Sequence, residues 1–69
     1  RPLRGLITSH TLIHKRREPY LINGDLIVMP GARLSIEPGV ELHFAPNTGL
    51  LVLGDLNATG TAKDPIVMR

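Results

Sequence analysis

An all-β solenoid, a short parallel β-helix of a few coils, is the fold this sequence predicts, and three observations carry the reading. Two turn motifs, Met29-Pro30-Gly31-Ala32 and Glu37-Pro38-Gly39-Val40, start eight residues apart. The residues around them alternate: Leu34, Ile36, Val40, Leu42 and Phe44 form one face of extended chain, and Arg33, Ser35, Glu37, Glu41 and His43 the other. Most other separators in the second half of the chain are also rich in turn-forming residues, so the strands between them are short. Proline presets φ for the second position of a tight turn, and glycine supplies the positive φ that a type II turn needs at the third. Pro30, Gly31, Pro38 and Gly39 are therefore the expected structural turns.

The elements follow in order. Residues 3–13, with β-branched Ile7, Thr8, Thr11 and Ile13, read as a strand entered from a turn at Gly5. His10 and His14 have helical spacing, but Ser9-His10-Thr11 is poor helix material and no capping residue precedes it. His14-Lys15-Arg16-Arg17-Glu18-Pro19 reads as a solvated loop. Residues 1–18 thus form a lead-in strand and basic loop, a candidate cap, and residues 19–69 form the coils. Strands are expected at 20–22, 26–28, 33–36, 40–44, 50–53, 56–58 and 66–68. The separators include Asn23-Gly24, Ala45-Pro46-Asn47-Thr48-Gly49 and Gly54-Asp55. Gly24-Asp25-Leu26 recurs as Gly54-Asp55-Leu56, a weak internal echo of the kind repeat folds leave. An antiparallel sandwich of hairpins competes with the parallel β-helix. Hairpins usually carry two-residue Asn-Gly-type loops, whereas most turns here are Pro-Gly corners, which favour the β-helix and its narrow aliphatic stack.

Composition sets the scale. A chain of 69 residues buries only about 60% of the surface its unfolded form exposes. It has no cysteine to staple the core, so support from a partner chain or neighbouring coils is expected. The opening at Arg1-Pro2-Leu3 and the apolar ending Pro65-Ile66-Val67-Met68-Arg69 lead to the expectation of a fragment of a longer array. Hydrophobic residues make up 42% of the chain and aromatics only 3%, so the core is aliphatic. No apolar stretch reaches membrane-span length, and no membrane insertion of this segment is expected. The net charge of +2 is concentrated at Lys15, Arg16 and Arg17 and forms no broad basic face, so nucleic acid is not an expected partner.

Four runs carry a resemblance: Pro19-Tyr20-Leu21-Ile22-Asn23-Gly24-Asp25-Leu26-Ile27-Val28; Pro30-Gly31-Ala32-Arg33-Leu34-Ser35-Ile36-Glu37-Pro38-Gly39-Val40; Gly49-Leu50-Leu51-Val52-Leu53-Gly54-Asp55-Leu56; and Gly60-Thr61 with Asp64-Pro65-Ile66. Together they resemble the right-handed parallel β-helix repeats of the bark beetle (Anakonda) family, large extracellular proteins of epithelial tricellular junctions. The Leu-Ser-Ile-Glu-Pro-Gly-Val core is the specific part, and the match covers roughly the last fifty residues. Upstream, Gly5 to Thr11 fits less closely, and Leu12 stands where an aromatic is frequent. The resemblance implies a right-handed coil, an extracellular or cell-surface location and a folding motif without catalytic residues.

Several side chains invite a functional reading. Asn57-Ala58-Thr59 matches the N-glycosylation pattern, and strand alternation points Asn57 outward. Lys15, Arg16 and Arg17 are a candidate polyanion contact, although three cations beside Glu18 more simply make a solvated loop. His10, His14 and His43 have no acidic or cysteine partners spaced to complete a metal set, and no metal or other cofactor is expected. Asp25 and Asp55 follow turn glycines, and nothing supplies a nucleophile with its base, so no enzyme is expected. If Leu26, Val28, Leu50 and Val52 point inward, Ile27, Met29, Leu51 and Leu53 point outward, where apolar groups call for a covering surface. The expected function is a non-enzymatic structural and adhesion module that acts as a β-helical scaffold and associates with itself or with neighbouring coils. The alternative is a carbohydrate-binding or carbohydrate-processing β-helix with a glycan on Arg33, Glu37, Glu41 and His43.

Overall fold

The computed structural model describes residues 3–69; Arg1 and Pro2, at the start of the expected lead-in, lie outside them. The described chain is all strand and turn: β1 (Leu3–Ile7), β2 (Thr11–Ile13), β3 (Tyr20–Val28), β4 (Arg33–Ile36), β5 (Glu41–Phe44), β6 (Leu50–Val52), β7 (Asp55–Ala58) and β8 (Val67–Met68). Every pairing is parallel, and the strands stack into a β-solenoid of about three turns. A long wall orders its strands β1-β3-β5-β8, with β6 also on β3, and a short wall orders them β2-β4-β7.

The coil period follows from the register. Tyr20 pairs with Leu42, 22 residues on, and Leu34 with Leu56, again 22 on. Inward positions lie above apolar residues of the next coil even where the offset departs from 22: Ile22 on Phe44, Leu26 on Leu50, Val28 on Val52, Ile13 on Ile36. Such cross-strand aliphatic pairs stabilise a sheet by roughly 0.2–1 kcal/mol each. The core is Ile13, Ile22, Leu26, Val28, Ala32, Leu34, Ile36, Val40 and Leu42, with Tyr20, Phe44, Leu50, Val52 and Ile66 packed at its margins. No polar or charged residue is buried among the described residues.

The corners close as Pro-Gly turns. Ala32 N–H donates to Met29 O at 3.0 Å with Gly31 at φ 84°, and Val40 N–H donates to Glu37 O at 3.4 Å with Gly39 at φ 85°. The third coil turns more tightly. Leu53 and Gly54 N–H both donate to Val28 O, at 2.8 and 3.0 Å, and Asp55 N–H donates to Ala32 O at 3.0 Å. This draws Gly54 so close under the preceding corner that a Cβ on it would lie 2.4 Å from Met29 O and 2.5 Å from Ala32 O.

Beyond one-residue shifts at the ends of β5, β6, β7 and β8, the structure revises three expectations. Residues 3–13 are two strands, because the chain bends at Ser9 and passes from the long wall to the short one. Gly5 lies within β1, at φ 98° beside Leu26, and is not a turn before the strand. Asn23-Gly24 does not end the strand 20–28: residues 23–25 form an irregularity between Ile22 and Leu26, which are paired with β1 on one side and with β5 and β6 on the other. Between the matched positions Leu3, Ile22 and Phe44 and the matched positions Gly5, Leu26 and Leu50, successive coils place one residue, Arg4, then three, Asn23 to Asp25, then five, Ala45 to Gly49.

Candidate association surface

Strand alternation on the long wall turns every second side chain outward, and parallel register lines those side chains up from coil to coil. Leu6 pairs with Ile27 and Ile27 with Leu51, so one apolar row crosses all three coils. Leu6 is 62% and Leu51 52% exposed, and Ile27 between them is half-buried. Leu53 stands exposed just beyond the row, and Met29, at the corner, is half-buried. Next to the row, Asp25, Ile27, Gly49, Leu50 and Leu51 line a shallow recess of roughly 210 Å³. Its rim is fixed by Asp25, whose Oδ1 accepts the Gly49 N–H at 3.0 Å, and by Leu26 N–H donating to Gly49 O at 2.9 Å.

Of the four residues the sequence singles out, Leu51 and Leu53 are exposed, whereas Ile27 and Met29 are partly covered by their neighbours. Leu6 was not foreseen. Its outward apolarity gains meaning only from the register that sets it over Ile27, and no local pattern gives that pairing. Leu21, 55% exposed and paired with His43 on the same wall, was missed for the same reason.

A second apolar surface lies at the end of the third coil. Leu56 and Met68 pair with Leu34 and Leu42, which are fully buried, and so share their inward register, yet they are 41% and 43% exposed. Among the described residues β7 has only β4 beside it and β8 only β5, so their inward side chains meet a coil on one side alone. Their outer edges carry unpaired backbone groups that a further strand can engage.

The basic cluster does not gather into a patch. Lys15 N–H donates to Glu37 Oε1 at 2.7 Å, its side chain crosses Gly39, and its Nζ lies 3.3 Å from Asp64 Oδ1. This one residue therefore links three coils. Arg16 folds back on its own loop, donating to the carbonyls of Glu18 and Pro19 and stacking 3.9 Å over the Tyr20 ring, whose hydroxyl donates to His14 O. Arg17 has no such engagement among the described residues, so one cation of the three stands apart.

The outward polar residues also fail to converge. Arg33 faces Asp55 at 3.7 Å on the short wall, and His43 lies 3.0 Å from Glu41 on the long wall. Glu37 is held at the corner by Lys15 and lies 3.5 Å from His14. They sit on different walls in separate pairs, and no three His, Cys, Asp or Glu cluster for a metal among the described residues. Asn57 is exposed on β7, in the outward row Leu12–Ser35–Asn57 of the short wall.

No protein-family model matches the chain, and no solved structure matches it. Protein bark beetle of Drosophila melanogaster is 48% identical over 65 residues, which is 94% of this chain and 2% of that protein. The chain thus spans about 2% of the length of the curated relative it matches. Nearly the whole solenoid lies within the matched stretch, and on this identity and its stacked parallel coils the chain is a β-helix repeat segment of the bark beetle type.

Proposed function

We propose that this segment is a non-enzymatic structural module of a secreted or cell-surface protein, a β-helical scaffold that associates through its outer face and its open coil edge. The observation that carries the reading is the apolar row Leu6–Ile27–Leu51, which crosses three coils on the outside of the long wall. Large outward aliphatic side chains aligned over three strands are unfavourable in water and favourable against a partner. The half-covered inward residues Leu56 and Met68 support the same reading, since a neighbouring coil or a second copy would complete their burial. Secretion and a role at junctions enter this reading from the resemblance to the bark beetle family.

The test is sedimentation equilibrium on the 69-residue chain across a concentration series, with far-ultraviolet circular dichroism on the same samples. A folded, β-rich oligomer is the expected result. A monodisperse folded monomer at high concentration overturns the association reading.

A further inference from the structure

We infer that Asn57 is an N-glycan acceptor and that the solenoid is two-faced, with its short wall carrying sugar and its long wall left bare for protein contact. The inference deepens the proposed extracellular module and rests on its passage through the secretory pathway.

Three observations support it. Asn57-Ala58-Thr59 has the acceptor asparagine, a middle residue other than proline, and a hydroxyl at the third position. All three residues are exposed, and β7 ends at Ala58, so the hydroxyl of Thr59 lies past the last paired residue of the strand. Finally, the register sets Asn57 beside Ser35 and Ser35 beside Leu12, on the outward side of a strand whose inward positions are Leu56 and Ala58. The side chain above Asn57 is thus the small serine, and the Arg33–Asp55 pair lies one outward position back along the same face. Leu12, the exposed apolar residue of that row, lies two strand spacings away, about 10 Å, within the area that an attached oligosaccharide overlies. The apolar row Leu6–Ile27–Leu51 belongs to the other sheet, so a glycan at Asn57 leaves it uncovered.

The chemistry is a group transfer from a lipid diphosphate-linked oligosaccharide. The Asn57 amide nitrogen forms a bond to the anomeric carbon of the first sugar as the bond from that carbon to the diphosphate oxygen breaks. The amide loses one proton, and the lipid diphosphate leaves with the electron pair of the broken bond. The transferase supplies the base and the donor, and the chain supplies only the acceptor amide and the Thr59 hydroxyl.

The experiment secretes the 69-residue chain from a eukaryotic host behind a cleaved leader, with a second acceptor sequence in a flexible C-terminal tag as internal control. Intact mass is then measured before and after peptide-N-glycosidase treatment. Two glycans are expected on the parent chain, one on Asn57→Gln, one on Thr59→Ala and two again on Thr59→Ser. Association through the row Leu6–Ile27–Leu51 is expected to persist in the glycosylated parent, because the sugar sits on the other sheet, while contacts through the open edge of β7, which carries Asn57, are expected to be weakened. A glycan on the tag alone in the parent chain overturns the site. Association abolished by the sugar and restored by its removal overturns the two-faced arrangement. The glycan count is independent of whether the unglycosylated chain associates, so failure of the acceptor site and failure of the module reading are told apart.

Discussion

Gly39 shows how much a single corner residue can carry. At φ 85° it occupies backbone that side chains with a branched β-carbon adopt only under strain, and a Cβ there would also lie 2.9 Å from the Lys15 side chain. The flexible lysine can move aside, but the backbone strain stays, at a cost of order 1–3 kcal/mol. A single core in a chain this short rarely supplies more than about 3–5 kcal/mol, so Gly39→Val consumes much of the total and lowers the melting temperature by roughly 4–8 °C per kcal/mol. Thermal unfolding followed by circular dichroism checks this, and a variant that melts no earlier than the parent would remove Gly39 from the corner. Gly54 and Gly49 give a matched contrast. Gly54→Ala drives a methyl group into the carbonyls of Met29 and Ala32, which are fixed backbone, and is expected to destabilise by about 1–3 kcal/mol. At Gly49 the added methyl meets nothing within 4 Å, so Gly49→Ala is expected to be neutral or to stabilise by up to about 1 kcal/mol through the unfolded chain.

At the scale of the strand, the long wall separates folding from association. Leu51 lies on the outer side of β6 and contributes to the apolar row without entering the core. Leu51→Lys is therefore expected to shift the sedimentation profile toward monomer while the stability of the monomer itself, measured at low concentration, changes by no more than about 0.5 kcal/mol. The inward faces of the strands on both walls were legible from alternation: Leu26, Val28, Leu34, Ile36, Val40 and Leu42 are buried as the pattern says, whereas Phe44 at the end of β5 and Leu50 and Val52 on β6 are half-covered. Glycine was the misleading letter. In isolation Asn23-Gly24 is a breaker, but here residues 23–25 are carried as a bulge between Ile22 and Leu26, both of which are paired with parallel neighbours on the two edges. Leu6 and the ties made by Lys15 were hidden for a different reason. The partners of Lys15, Glu37 and Asp64, lie 22 and 49 residues along the chain, and such contacts exist only once the coils have stacked. Composition alone sees three adjacent cations; the folded chain puts one across the coils, one over a tyrosine and one in a loop.

At the scale of the whole molecule, association and folding share a free energy. A partner that binds only the folded coil stabilises it by mass action, so the melting temperature is expected to rise with protein concentration and to lose that dependence in Leu51→Lys. Differential scanning calorimetry at several concentrations measures both. The coils also trade residues without losing phase. Between Leu26 and Leu50 the offset widens to 24 because the span before β6 holds two residues more than the span above it. The offset returns to 22 between Arg33 and Asp55, because the corner at Leu53-Gly54 is two residues shorter than the corner at 29–32. The walls thus behave as a fixed ruler and the bends as slack. The bend between β5 and β6, which holds Pro46 and Asn47 exposed and already sets Asn47 at φ 62°, is the natural splice point for grafting a foreign peptide, since added length there loops outward while the aliphatic columns on either side keep their count.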